Sequence, residues 1–197
     1  MEKNVIEEKD VIDVEAYIKI RKQNKEKVKS IKEKRRVMVG PHATFYFENF
    51  ETMLYQVQEM IYIERGGREQ LLDELEAYNP MIPKGKNLSA TLMFEIDNQK
   101  KRKEFLNSIG GIEHKIFIEI NNKEKVFAIP EGDTERTDDS GKASSVHFIH
   151  FNFTDDQIKE FLNATSKITI GFEHTEYNHL TLLSEQNRNS LADDFQT

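Results

Sequence analysis

Apolar residues fall at Phe50, Met53, Leu54, Val57, Met60 and Ile61, in steps of three and four, with Asn49 just ahead as a cap. The spacing predicts an amphipathic helix over residues 50–65, halted by Gly66-Gly67. Upstream, Tyr17, Ile20, Val28 and Ile31 make a thinner stripe, interrupted by Asn24. That helix can start at Asp10 or Asp13 and run to about Arg35. Between the two, Val37, Val39, a Gly-Pro turn and the run from Thr44 to Phe47 predict a short strand or hairpin. "REQLLDELEAYNP" predicts a short helix ended by Asn79-Pro80.

Past residue 87 the period changes from helical to alternating, and the chain repeats itself. Residues 89–107 align with 145–163 at an offset of 56 without a gap, so that Glu104-Phe105-Leu106-Asn107 meets Glu160-Phe161-Leu162-Asn163. After a short deletion the match resumes, "KIFIEI" from Lys115 against "KITIGF" from Lys167. Each unit predicts strand, helix, strand: 88–96 with 145–153, helices from about Gln99 and Asp155, then 115–120 with 167–172. Tandem βαβ units are the pattern of a ferredoxin-like, mainly antiparallel sheet. Its first strands are apolar on both faces, so both faces need cover. The expected fold class is therefore α+β, with crossover helices on one sheet face and the N-terminal helices on the other. One domain is expected over 1–197: a helical N-terminal layer at 10–80, the duplicated sheet at 88–183 and a C-terminal helix at 184–195.

Charge divides the chain unevenly. From Lys19 to Arg36 there are ten basic and two acidic residues, a charge of +8 in a chain of net −7, which leaves −15 elsewhere. The bland reading of this stretch is a solvated helix docked by a narrow seam. The sharper one is an arm that grips nucleic acid, disfavoured because no aromatic residue interleaves the basic ones for stacking. Cysteine is absent, which removes disulfides, thiolate zinc sites, cysteine-ligated iron–sulfur clusters and a cysteine nucleophile. No apolar run reaches the length of a membrane span, and the acidic N-terminus lacks a signal core, so a cytoplasmic protein without membrane insertion is expected.

Three groups of residues carry candidate chemistry. Strand alternation and the repeat place Thr91, Glu95 and His147 under the helix that carries Gln56 and Glu59. Such a set could act as an acid–base pair or hold one divalent metal ion; the alternative, given more weight, is a satisfied buried network. His174, Glu176 and His179 in "HTEYNH" form a second metal-ligand candidate; the alternative reads His174 as the end of a half-buried strand. In "SGKASS" a phosphate-loop match fails because Arg136 stands at the glycine position and Ala143 follows Lys142. Arg136 and Lys142 could still hold an anion if their loop folds back.

"KRRVMVGPHATFYFENFETMLYQVQEM", "LEAYNPMIPKGKNLSATLMFEI" and "GKASSVHFIHF" together resemble a bacterial family known as Domain of Unknown Function 3501, over about residues 12–194. The resemblance implies family-typical residues at Arg35, Arg36, Glu48, Asn49, Gln58, Glu59, Tyr78, Asn79, Pro80, Glu95, Lys142 and His147. It carries no catalytic assignment. Genes of the family are often found beside those for rubrerythrin and heterodisulfide-reductase-like iron–sulfur proteins, which implies a peroxide or redox-stress setting and a protein partner in such a module. The function expected is an accessory or binding protein there. The alternatives are a small His/carboxylate metal protein or enzyme and, third, nucleic-acid binding through the basic helix. The substrate, the partner and the oligomeric state do not follow from the sequence.

Overall fold

The computed structural model describes residues 3–132, 137 and 141–195. In chain order the elements are α1 (Val14–Lys34), β1 (Arg36–Val39), β2 (Ala43–Glu48), α2 (Phe50–Glu64), α3 (Gly67–Tyr78), β3 (Asn87–Phe94), α4 (Gln99–Ser108), β4 (Ile116–Ile120), β5 (Lys125–Phe127), β6 (Ile129–Pro130), β7 (Val146–Asn152), α5 (Asp155–Leu162), β8 (Ile168–Phe172), β9 (Leu180–Leu182) and α6 (Glu185–Ala192). The caps follow from local chemistry. Asn49 accepts from the Thr52 amide and Thr52 returns the bond, which starts α2 where the apolar stripe begins. Asp13 and Thr154 cap α1 and α5 through the amides of Ala16 and Gln157.

The strands form two antiparallel sheets, ordered β1-β2-β3-β7-β6 and β5-β4-β8-β9. This corrects the single ferredoxin-like sheet predicted by the repeat. The first strands of the two units, β3 and β7, pair with each other in the five-stranded sheet, and the second strands, β4 and β8, pair in the four-stranded one. Each unit therefore spans both sheets. Its helix is a bridge from one sheet to the other, not a crossover that covers one face. What covers the inner face of the five-stranded sheet is the four-stranded sheet. Phe45 and Phe94 of the first meet Phe172 of the second at ring-centroid distances of 5.4 and 6.2 Å. Leu106 of α4 and Ile158 and Phe161 of α5 join this core.

The outer face of the five-stranded sheet is covered as the hydrophobic pattern predicts. Met53, Val57 and Ile61 of α2 form a second apolar cluster with Leu75 of α3 and Met81 and Ile82 beyond it, and Phe148 of β7 packs against it from below. Helix α1 lies against α2 through Tyr17 and Val28, but Ile20 is exposed. Arg21 takes the seam position expected of Ile20, because its guanidinium has a carboxylate to meet on α2.

Side-chain hydrogen bonds tie the chain ends to this frame. Arg35 is buried and donates to the carbonyls of Phe47 (3.0 Å), Glu48 (3.0 Å) and Ser190 (2.7 Å), and to the buried Asp194 carboxylate. Asn79 exchanges two bonds with the backbone of Ile6, and Gln58 two with that of Ile12. Three side chains of the frame, Arg35, Asn79 and Gln58, thus use their capacity largely on main chain. Among the described residues, no helix is long and apolar enough to cross a membrane.

Candidate functional site

The register of β3 and β7 decides which side chains can meet. Residues directly opposed across antiparallel strands share a face. Leu92 opposes His147, Ala90 opposes Ile149 and Leu88 opposes Phe151, separations of 55, 59 and 63 residues. All are odd, so residues 56 apart lie on opposite faces. The sequence repeat, read at its offset of 56, therefore carries His147 to the wrong side. His147 is fully buried in the core between the sheets, edge-on to Phe94 at 5.8 Å, with Nε2 2.9 Å from the Ser144 carbonyl oxygen. Thr91 and Glu95 face the helices instead.

Of the five residues predicted as one polar set, Gln56 and Thr91 line a common cavity, whereas Glu59, Glu95 and His147 lie apart from it. Glu59 accepts from the Tyr17 hydroxyl at 2.5 Å and from both arms of Arg21 at 2.9 and 2.8 Å, locking α1 to α2. The Arg21 guanidinium holds the Glu59 carboxyl below its ordinary range, and burial pushes the Tyr17 hydroxyl up. Glu95 is exposed and accepts from Thr44 at 2.6 Å and Tyr46 at 2.9 Å. Gln56 lies beside Tyr78, and Thr91 donates to Glu48.

Glu48 is the centre of the polar face. It ends the row Thr44, Tyr46, Glu48 along β2, and only 4 % of it is exposed. Its carboxylate accepts from the hydroxyls of Thr52 (2.6 Å) and Thr91 (2.8 Å). Among the described residues no Lys, Arg or His pairs with it. It faces a cavity of about 320 Å³ between sheet and helices, walled by Tyr46, Tyr78, Phe148, Met53 and Met93, with Lys32 at the rim. Burial raises Tyr46 and Tyr78 above the ordinary tyrosine range. Sequence reasoning stopped the strand at Phe47. The signal it passed over was the two-residue period from Thr44 to Glu48, with Thr52 one helical turn later.

A serine–histidine–carboxylate string lies on the same sheet face. His150 Nδ1 is 2.9 Å from Ser89 Oγ, and Nε2 is 2.6 Å from Glu131. Nucleophilic catalysis needs the hydroxyl to reach a substrate. Ser89 has no exposed surface and also meets the Asn87 amide at 3.3 Å. The string fastens β3, β7 and the residue just past the end of β6. Two further cavities, of about 300 and 540 Å³, open around Asp193 and Asp194 at the N-terminal end of α2. The Asp194 carboxylate that borders them is already committed to Arg35.

The "HTEYNH" segment serves the fold. The residue that matters in it is Tyr177, whose hydroxyl accepts from the His42 and Ala43 amides at 3.1 Å and donates to the Val39 carbonyl at 2.7 Å. It closes the β1–β2 hairpin so tightly that a Cβ on Gly40, at φ +67°, would lie 2.7 Å from the Tyr177 oxygen and the His179 ring. His174 is turned to the Gly110 carbonyl (3.3 Å), His179 packs on Tyr177, and Glu176 is exposed. Among the described residues, no group of three or more His, Cys, Asp and Glu side chains is placed to hold a metal ion. Of the anion pair, Arg136 lies outside the described residues. Lys142 is half-buried next to Ala143, whose amide donates to Leu106.

Among curated proteins none matches the chain. It is similar to a novel protein of unknown function from Burkholderia pseudomallei K96243, known as a crystal structure, with 32% identity and a TM-score of 0.90 over 98% of this chain and 100% of that one. At that identity and coverage the two share the whole arrangement of sheets and helices. The family profile described as Protein of unknown function (DUF3501) matches residues 5–195, and the chain belongs to that family.

Proposed function

We propose that the protein is a ligand-binding accessory protein and that its site is the cavity above Glu48. The observation that carries this is a carboxylate with 4 % exposure that lines a cavity and has two neutral hydroxyls, but no cation, to compensate it. Removing a charge from water without a counter-charge is costly. Two hydroxyl bonds offset part of that cost, and a ligand group with N–H donors and a positive charge offsets more. The walls suit such a group. Tyrosine and phenylalanine faces attract ammonium ions, and Met53 and Met93 adapt to the apolar part. A mixed wall with a few fixed polar groups is the usual make-up of a small-molecule site.

The redox-stress setting implied by the family resemblance belongs to the same proposal. A chain without cysteine carries no disulfide or thiolate-ligated cluster, so within such a module its contribution is to bind. The test is calorimetric titration of the full chain with n-butylammonium. Binding to the wild type that Glu48→Gln abolishes supports the proposal. Equal heats from both proteins sink it.

A further inference from the structure

The rim of the cavity leads to a second chamber of opposite character. This space of about 300 Å³ is bordered by Lys25, Lys29, Lys32, Arg36, Tyr46 and Tyr55, with Glu33 as its one acid. Lys32 and Tyr46 also line the inner cavity, so they form a common wall between the two. The basic residues recur at steps of four, three and four along one side of α1 and into β1. Like charges so spaced repel. Among the described residues none of the four is in a salt bridge. Lys32 lies over the Tyr55 ring and Arg36 over the Tyr46 ring, each at 5.8 Å, which orients the charges along the chamber without neutralising them. The tyrosines missing between the basic residues in sequence are thus supplied in space by β2 and α2.

We infer that the two chambers take one dipolar small molecule, with a protonated amine at Glu48 and a carboxylate or phosphate at Lys32 and Arg36. This rests on the reading of the inner cavity given above and names the class of its ligand. The order of the charges is set by burial. The inner carboxylate is fixed by Thr52 and Thr91, so it selects a compact donor group that can shed its water. The outer cations sit on long side chains at the surface, and they accept an anion that stays partly hydrated. A ligand with only the amine would leave the basic chamber uncompensated, and one with only the anion would leave Glu48 so.

Three matched probes test this on the full chain: n-butylammonium, valerate, and 5-aminovalerate, which joins both charges on one four-carbon spacer. The expected result is that 5-aminovalerate binds at least about tenfold more tightly than either of the others, equivalent to about 1.4 kcal/mol. Lys32→Gln with Arg36→Gln should reduce it to the level of n-butylammonium, and Glu48→Gln to the level of valerate. If n-butylammonium binds through Glu48 and 5-aminovalerate gains nothing over it, the dipolar inference falls while the inner-cavity reading stands. If valerate equals 5-aminovalerate and Glu48→Gln alters neither, or if no probe binds, both fall. The wild-type comparison of the three probes needs no variant, so the test holds even where a substitution impairs folding.

Discussion

The two faces of the five-stranded sheet are built from alternate residues of the same strands, yet they do different work. The inner face is dry: Phe45, Phe47, Leu88, Leu92 and Phe151 are buried against the second sheet. The outer face carries Thr44, Tyr46, Glu48, Ser89, Thr91, Glu95 and His150, and nearly every polar group there is matched to a named partner. A core needs only apolar volume of the right shape. A polar layer that is roofed by helices needs each donor and acceptor answered. The exception is therefore informative, and it is the charge on Glu48. The comparison teaches that the sheet has a dry apolar core on one side and a hydrogen-bonded polar layer with a cavity on the other.

The comparison breaks most visibly in the core. Phe151→Ala should cost about 3–5 kcal/mol in urea unfolding, as large-to-small changes in a packed core do. Phe148→Ala, three residues away on the outer face and half-buried, should cost less than half of that. Equal losses would mean that the helical layer is as tightly packed as the inter-sheet core. Next in size is Tyr177→Phe. It leaves two amides and one carbonyl of the β1–β2 hairpin without their partner, and about 1–3 kcal/mol should be lost. Loss of less than half a kilocalorie, with the hairpin amides still protected from exchange, would show that water replaces the hydroxyl.

Smaller effects come from titration on the helical side. Glu59 has its pKa lowered in the folded state, first by Arg21. Its contribution is therefore present above the ordinary glutamate value near 4.5 and is lost as pH falls through the lowered one. Arg21→Ala should flatten the stability profile between about pH 5 and 3, measured by thermal melts, with little change at pH 7 beyond about 1 kcal/mol. At the other end, Tyr17, Tyr46, Tyr55, Tyr78 and Tyr177 all have raised pKa values. The unfolded chain ionises first, so stability is full below about pH 10 and declines above it.

The elements were largely legible from the sequence, and their assembly was not. The α2 stripe and its Asn49 cap, the hairpin at Val37–Phe47 and the strand–helix–strand units are local patterns, and local patterns survive folding. Pairing is non-local. The repeat made β3 and β7 equivalent, but an even offset cannot keep two residues on one face when every opposed pair is separated by an odd number. That single parity is the difference between His147 beneath the helical roof, as the repeat predicts, and His147 in the inter-sheet core, where it lies. The partners of Glu59 were hidden for a related reason: Arg21 stands one residue past Ile20, and nothing local says that the basic side chain takes the seam. Glu48 is singled out by the family resemblance, but its place on the helical face follows only from period two, one residue beyond the predicted end of the strand.

Glu48→Gln, unfolded by urea in the absence of ligand, tests the division between the two faces most directly. The amide keeps a carbonyl to accept from Thr52 and Thr91 and removes the uncompensated charge. A residue held for recognition at a cost to the fold should give a free protein as stable as the wild type or up to about 1 kcal/mol more so, with n-butylammonium binding gone. A loss of more than about 2 kcal/mol would contradict this, because it would place Glu48 among the groups that hold the sheet and helices together.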